Sequence, residues 1–343
     1  MFTLGDIKLN TPVILPPLAG ISSYPFRALN RKFGCEFSFL EMINCRSLAY
    51  SSKQTCEMMR FTGEELPLGI QLLGENEKFL LKALEKIQDY PFSMVDLNAA
   101  CPQKKIISRG EGAYLLKTPK KLERLLKLLV KNCAKPVSLK MRLGWNDDSM
   151  AGDIASSGQD AGIKAIFIHG RTKAQGYGGE VNYKAIARIK KKLKILVIAS
   201  GNVLNGKLAK KMFNETGCDA VTVARGALGN PWIFREIKEY IEKGKILERP
   251  CVEDIIKTMK SHLKLSCDFY GSKRGLAHFK KFFIWYTRSF KGVKPLRGEI
   301  TRLNTVERAI DMMSKFKKIG SRDAYHAKAK PDPISIGNLC PKT

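Results

Sequence analysis

The sequence predicts a (β/α)8 TIM barrel followed by a small C-terminal helical domain. Eight short apolar segments, each bounded by turn or polar residues, recur at intervals of roughly 25–40 residues, which is typical of buried parallel strands. Amphipathic helical patterns lie between these segments, and eight alternating strand and helix units are the number that forms a TIM barrel. The predicted strands cover residues 13–17, 36–42, 68–73, 94–98, 137–141, 165–169, 195–199 and 220–224.

Two of the intervening helices have clear boundary signals. Thr118 is predicted to cap a helix over residues 120–130, with Pro119 at its first position. Gly244 is predicted to end a second helix over residues 232–242. A doubly wound sheet is the alternative fold for eight strands, but no G-x-G-x-x-G motif follows the first strand.

The remaining segments complete a domain organisation with three parts. The barrel domain is predicted over residues 1–245, and the first dozen residues are expected to form a short hairpin before it. A helical domain is predicted over residues 246–322, and residues 323–343, which contain prolines and glycine, are expected to be a flexible tail. The helices predicted in the second domain cover residues 253–268, 276–290 and 304–317.

Composition restricts the class of protein. The 343 residues are 44% hydrophobic, which supports a large core, and no apolar run approaches the roughly 20 residues that a membrane span requires. No signal peptide is visible at the start of the sequence. The nine cysteines contain no C-x-x-C pair, so neither a metal site nor a thioredoxin motif is predicted, and reduced thiols in the cytoplasm are expected.

The charge predicts a polyanionic partner. Sixty Lys and Arg residues against 32 Asp and Glu residues give a net charge of +28. Residues 241–343 carry 23 basic and 10 acidic side chains, so the C-terminal part has about twice the positive charge density of the rest. Solvated faces of a lysine-rich protein are the alternative explanation of this excess.

Polar residues occur where a TIM barrel has its active site, at the C-terminal ends of the strands. Because side chains alternate along a strand, residues at positions i and i+2 point to the same face. Desolvating such groups is costly unless they meet a polar ligand, which predicts a binding site inside the barrel. The residues in question are Glu41, Gln71, Asp96, Asn98, Lys140, Arg142, His169 and Arg171.

The last two strand ends predict a phosphate site. Ser200-Gly201-Asn202 and Ala224-Arg225-Gly226 combine small residues, which allow close approach of a ligand, with the guanidinium of Arg225. Loops after the seventh and eighth strands of such barrels often bind phosphate. Together with Lys140 and Gln71, they favour a phosphorylated cofactor with a polar ring, for which FMN is the natural choice.

These motifs resemble the FMN-dependent tRNA-dihydrouridine synthases, especially the bacterial branch of that family. The likeness extends over residues 12–320, and three positions depart from the family pattern: Leu18 stands for Met, Ala99-Ala100 for Met-Gly, and Ser200-Gly201-Asn202 for Asn-Gly-Asp. The segments that carry the likeness are Pro17-Leu18-Ala19-Gly20, Asn98-Ala99-Ala100-Cys101-Pro102, Lys140-Met141-Arg142-Leu143-Gly144-Trp145, Ile168-His169-Gly170-Arg171-Thr172 and the run from Arg225 to Phe234.

The resemblance implies a reaction and roles for individual residues. The C5–C6 bond of a tRNA uridine is expected to be reduced by hydride from flavin N5 to C6, with NADPH as the usual electron donor. Cys101 is expected to protonate C5, and a thiol of ordinary pKa is mostly protonated at neutral pH, as an acid must be. Asn98, Arg142 and Arg171 are expected to contact the substrate. The residues expected to bind FMN are Pro17, Leu18, Ala19, Gln71, Lys140, His169, Ser200, Gly201, Asn202, Ala224 and Arg225.

The helical domain is where the family binds tRNA. A uracil inside a folded tRNA must leave its stack to reach a buried flavin, so a basic surface is expected to hold the RNA. The protein is expected to be a monomer. Other flavin barrels, such as an ene reductase or a dihydroorotate dehydrogenase, and an RNA-binding protein without catalysis are the alternatives. The basic candidates are Lys273, Arg274, Lys280, Lys281, Arg288, Lys291, Lys294 and Arg297, whereas Phe282, Phe283 and Trp285 are predicted to be helix core.

Overall fold

Eight parallel strands close into a barrel that follows the order of the chain. The computed structural model of the protein describes residues 2–319, with side chains to residue 317, so the predicted tail lies outside the described residues. The strands are β1 (Phe2–Leu4), β2 (Ile7–Leu9), β3 (Val13–Leu15), β4 (Phe37–Asn44), β5 (Leu68–Leu73), β6 (Met94–Ala99), β7 (Val137–Arg142), β8 (Ala165–His169), β9 (Leu196–Ser200) and β10 (Ala220–Thr222). Strands β3 to β10 form the barrel, which closes where β10 pairs with β3.

The predicted fold class is confirmed. Each predicted strand overlaps one barrel strand, and its ends differ from the observed ones by at most two residues. The doubly wound alternative is wrong, because the sheet is closed. The predicted hairpin is also present, as β1 pairs antiparallel with β2.

Alternation along the strands separates an inner from an outer hydrophobic cluster. On β7, Val137, Leu139 and Met141 belong to the outer cluster between the strands and the helices. Residues at the N-terminal ends of the strands, such as Phe37 and Met94, form a separate inner cluster together with leucines of the hairpin. Apolar side chains therefore fill one end of the barrel, and the polar residues of the strands are left to the other end.

The helices surround the barrel and continue beyond it. They include the three long segments expected after the barrel, which are observed over Val252–Tyr270, Ser272–Tyr286 and Val306–Ile319. The helices are α1 (Tyr24–Lys32), α2 (Cys45–Ala49), α3 (Lys53–Met58), α4 (Glu77–Ile87), α5 (Lys104–Ile107), α6 (Pro119–Asn132), α7 (Ala151–Asp160), α8 (Tyr183–Lys192), α9 (Gly206–Thr216), α10 (Ile233–Lys243), α11 (Val252–Tyr270), α12 (Ser272–Tyr286), α13 (Lys294–Arg302) and α14 (Val306–Ile319).

Two local predictions need correction. Thr118 stands at the N-terminus of α6, but its side chain makes no capping hydrogen bond to that helix. Helix α13 was not predicted, because Pro295 and Gly298 are helix-breaking signals in sequence. Pro295 lies in the first turn of α13, where the missing N–H needs no partner, so the helix tolerates it.

The C-terminal helices share a hydrophobic cluster with the outside of the barrel. Phe282 stacks on Phe26 of α1 with ring centroids 5.5 Å apart, and Phe283 and Trp285 are also buried. These three α12 aromatics are helix core, as predicted. The division of the chain at residue 245 falls between α10 and α11 and stays a prediction. Among the helices of residues 2–319, none combines the length and the apolar character that crossing a membrane requires.

Candidate active site

A chain of hydrogen-bonded polar side chains crosses the barrel interior. Gln71 Nε2 on β5 donates to Asp96 Oδ2 on β6 at 2.6 Å, and Ser138 Oγ on β7 donates to Asp96 Oδ1 at 2.6 Å. Asn98 Nδ2 donates to Gln71 Oε1 at 2.7 Å. All four side chains are buried, and these bonds offset the cost of removing them from water. These hydrogen bonds orient the side-chain amide of Gln71 so that its oxygen faces Asn98 and its nitrogen faces Asp96.

One acid and one base in this interior have shifted pKa values. Burial raises the pKa of Asp96 to about 6, against the opposing effect of the hydrogen bonds from Ser138 and Gln71. Burial lowers the pKa of Lys140 to about 8, although the charge of Asp96 partly opposes the shift. At pH 7 the two groups are therefore mainly a carboxylate and an ammonium.

Asn98 also fixes the loop that carries Cys101. Its Oδ1 accepts hydrogen bonds from the backbone N–H groups of Ala100 and Cys101, both at 2.9 Å. On the other side, Ala113 N donates to Cys101 O at 3.0 Å, and Gly112 lies so close that an added Cβ would be 2.8 Å from the same oxygen. The structure therefore holds Cys101, which is partly exposed, at a fixed position just after β6.

A cleft opens at the C-terminal ends of the strands. Its volume is about 640 Å3 including the open mouth. Of the residues predicted to bind the cofactor, those in the described lining are Pro17, Leu18, Lys140, His169, Ser200, Gly201, Asn202, Ala224 and Arg225. Ala19 and Gln71 are outside that lining, and Gln71 has its amide engaged by Asp96 and Asn98.

Several cations converge on His169 in this cleft. Burial lowers the pKa of His169 well below its usual value, and the charges of Arg142 and Lys140 lower it further. Arg171 Nη1 lies 3.3 Å from His169 Nε2. Since a guanidinium only donates, Nε2 must accept, and the neutral imidazole carries its proton on Nδ1. The site is thus positively charged around a neutral histidine, which favours an anionic ligand.

The two arginines predicted to contact substrate bond to main-chain carbonyls. Arg142 donates to the carbonyl oxygens of Ala100 at 2.8 Å and Thr172 at 3.0 Å. Arg171 donates to the carbonyl oxygens of Gly178 and Gly179, both at 2.8 Å. Both side chains are 1% exposed, so they order the loop after β8, and Arg142 also ties it to the Cys101 loop. Their contact with substrate stays a prediction.

Sequence reasoning missed Tyr177, which lines the cleft from the loop after β8. The guanidinium carbons of Arg142 and Arg225 lie 5.3 and 5.4 Å from its ring centroid. Tyr177 also lines a neighbouring cleft with Pro102 and Lys104, so it stands between the cofactor residues and the Cys101 loop. A tyrosine between glycines after the sixth barrel strand was the only signal in the sequence.

The helical part contacts the loop that begins at Pro17 through Gly20. Glu41 accepts a hydrogen bond from Gly20 N, and Lys281 of α12 donates to Gly20 O. Burial raises the pKa of Glu41, partly opposed by that bond and by the charge of Lys281. Lys281, which the sequence offered as an RNA contact, therefore steadies the loop that begins at Pro17.

The other basic candidates differ in how far their side chains are exposed. Lys280 donates to Thr301 O at 2.9 Å, and Arg297 donates to main-chain oxygens of residues 287 and 290. Exposed side chains remain along α12, the turn after it and the start of α13, so a basic surface borders the barrel there. These exposed residues are Lys273, Arg274, Arg288, Lys291 and Lys294, of which Arg274 is also paired with Glu57 at 2.9 Å.

Comparison with known proteins identifies the family. Residues 14–320 match the family model described as dihydrouridine synthase (Dus). The chain is 32% identical to tRNA-dihydrouridine synthase B of Pseudomonas aeruginosa over 305 residues, which are 89% of this chain and 92% of that protein. It is 33% identical to tRNA-dihydrouridine synthase B of Xanthomonas campestris pv. campestris over the same length and the same shares of each chain.

Among solved structures, histamine dehydrogenase from Rhizobium sp. 4-9 superposes with a TM-score of 0.52. That match has 10% sequence identity and covers 77% of this chain and half of the other, so it concerns the barrel fold. The family match covers most of the chain and includes the Cys101 loop and the cleft. The chain therefore belongs to the dihydrouridine synthase family of oxidoreductases.

Proposed function

We propose that this enzyme reduces specific uridines of tRNA to dihydrouridine, with FMN as cofactor and NADPH as electron donor. The proposal is carried by one observation: nine of the residues expected to bind FMN line one cleft, and Tyr177 of that cleft also lines a neighbouring cleft with Pro102 of the Cys101 loop. The curated relatives of the same length are tRNA-dihydrouridine synthases by name, which supports tRNA as the substrate.

The cleft residues fit a phosphorylated flavin. Thr222 Oγ1 is buried in the lining and has no hydrogen-bond partner among the described residues, so it is available to a ligand. Gly201 lets the turn in this lining pack on Val181, because its φ is +138° and an added Cβ would lie 2.8 Å from that side chain. Arg225 and Lys140 supply positive charge for a phosphate and for the electron-rich ring of the reduced cofactor.

The chemistry divides between the cofactor and the chain. When bound, the reduced flavin supplies a hydride to uracil C6, and NADPH restores the cofactor for the next turnover. Cys101 then gives its thiol proton to C5, which completes saturation of the C5–C6 bond. Asn98 and Gly112 hold the loop so that this thiol stays in place, and Arg142 fixes the loop to its neighbour.

The assay for this proposal follows dihydrouridine itself. Purified protein with bound FMN is given NADPH and tRNA from a strain that lacks dihydrouridine, and the product is measured by mass spectrometry. Cys101→Ala should reduce product formation by about 100-fold or more, the range of a lost general acid. Cys56→Ala is the matched control, because Cys56 is an exposed cysteine on α3.

Three outcomes would contradict the proposal. NADPH oxidation without dihydrouridine in any tRNA would indicate a reductase of small molecules. Colourless protein that binds tRNA and takes up no FMN would indicate an RNA-binding protein without catalysis. Equal activity of Cys101→Ala and Cys56→Ala would assign the proton transfer to another group.

A further inference from the structure

A second pocket lies at the same end of the barrel as the cleft and has no role in the proposed reaction. Its volume is about 860 Å3 including its open mouth. It is formed where β4 and β5 end and where the Cys101 loop returns to the barrel wall. The lining residues used below are Asn44, Arg46, Glu75, Phe79, Arg109 and Glu111.

Glu111 lines this pocket and carries a buried acceptor. Its side chain accepts from Asn44 Nδ2 through Oε1 at 3.0 Å, while Oε2 is buried without a hydrogen-bond partner among the described residues. The residue is 7% exposed. A buried carboxylate oxygen without a donor costs free energy, so a ligand that brings an N–H group would relieve that cost.

The other pocket residues suit a nucleotide. The guanidinium carbon of Arg46 lies 5.3 Å from the centroid of the Phe79 ring. The ring of the exposed Tyr50 lies beside Phe79, with the two ring centroids 5.9 Å apart. Aromatic and guanidinium planes of this kind stack unpaired bases in RNA-binding proteins. Arg109 adds a second cation for a phosphate. Burial raises the pKa of Glu111, partly opposed by the hydrogen bond from Asn44 and by the charge of Arg109.

The pocket is joined to the loop of the proposed acid. Glu111 precedes Gly112, whose backbone packs against the main chain of Cys101, and Ala113 N donates to Cys101 O. A nucleotide in this pocket would therefore lie next to the segment that acts on the target base.

We propose that this pocket binds a guanine nucleotide of the same tRNA, close to the target uridine, through its Watson–Crick edge on Glu111. Guanine presents two adjacent N–H donor groups, at N1 and N2, whereas adenine, cytosine and uracil each present one donor group beside acceptors, so a carboxylate selects guanine. The inference rests on the proposed function for the choice of tRNA as the ligand.

Glu111→Gln is the decisive variant, because it keeps the oxygen that accepts from Asn44 and replaces the free acceptor by a donor. Glu75→Gln is the matched control: it removes one negative charge from the same pocket, where Glu75 is paired with Lys121. Loss of a negative charge alone should strengthen RNA binding. The proposal predicts the opposite for Glu111→Gln, a Kd for a tRNA transcript weaker by about tenfold, the value of a hydrogen bond to a charged acceptor.

Fluorescence anisotropy with transcripts that carry inosine at each loop guanosine in turn identifies the nucleotide. Inosine lacks the 2-amino group of guanosine. Inosine at one of these positions should therefore weaken binding to the wild type, and the same transcript should bind Glu111→Gln no more weakly than the unmodified transcript does. The proposal would be overturned if Glu111→Gln bound the transcript as tightly as Glu75→Gln. It would also be overturned if every inosine substitution weakened binding of Glu111→Gln by the same factor as binding of the wild type. Binding is read without turnover, so a tRNA that is bound through Glu111 but not reduced would contradict the proposed function alone.

Discussion

Replacing Asn98 by alanine should lower the free energy of unfolding by more than replacing an ordinary surface asparagine does. The side chain makes four hydrogen bonds: Oδ1 accepts from the backbone N–H groups of Ala100 and Cys101, and Nδ2 donates to Gln71 Oε1 and to the sulfur of Met42. Ala100 and Gln71 are buried, whereas Cys101 is partly exposed and its N–H can be hydrated. Two buried groups without partners cost about 1–3 kcal/mol each, so we expect a loss of about 2–6 kcal/mol.

Urea unfolding of Asn98→Ala and Asn76→Ala measures this difference. Asn76 also accepts one backbone N–H, from Phe79 at 3.3 Å, but it is an exposed helix cap, whose loss costs about 1 kcal/mol. Asn98→Ala should also speed the reaction of the Cys101 thiol with a disulfide reagent, because the loop loses its anchor. Equal midpoints for the two variants and an unchanged thiol rate would refute the assignment of Asn98 as the anchor of this loop.

Three further predictions concern charge, burial and close packing. Because the pKa of Lys140 is lowered to about 8, its ammonium is present below that pH and lost above it, so FMN binding should weaken up to about tenfold from pH 7 to pH 9. In a flavin fluorescence titration, Lys140→Met should bind FMN weakly, with an affinity that does not change over that pH range. If the affinity of Lys140→Met depended on pH as steeply as that of the wild type, Lys140 would not be the titrating group. Arg27→Met should cost about 3–5 kcal/mol in urea unfolding, since it leaves the buried carboxylate of Glu65 unpaired, and a loss under 1 kcal/mol would contradict this. Gly112→Ala should reduce dihydrouridine formation at least about tenfold by displacing Cys101. Gly217→Ala is the control and should retain activity, because Gly217 has a similar positive φ but open space around it.

The barrel was predictable because its signals are local. Each strand is a short apolar segment between turn residues, and the order of strands and helices leaves few topologies for a parallel sheet. Helix α13 was missed because Pro295 is unfavourable inside a helix but acceptable in its first turn. The boundary at residue 245 cannot be read from such signals, because packing such as that of Phe26 on Phe282 joins the two parts.

The sequence predicted where the site residues lie in the barrel better than it predicted their hydrogen-bond partners. Strand alternation places Asn98, Lys140 and His169 toward the same end of the barrel interior, and resemblance to the family supplied the role expected of Cys101. The partners of Arg142 depend on how the loop after β8 folds back, which no spacing in the sequence reveals. The free oxygen of Glu111 likewise exists only because the surrounding residues bury it.

A single-turnover experiment tests the central claim most directly. Protein loaded with FMN is reduced without oxygen, freed of NADPH and mixed with tRNA that lacks dihydrouridine, while flavin absorbance and dihydrouridine are followed together. The account predicts that flavin reoxidation matches dihydrouridine formation one for one, and that Cys101→Ala slows the appearance of dihydrouridine. Reoxidation by a small-molecule enone but not by tRNA would contradict it.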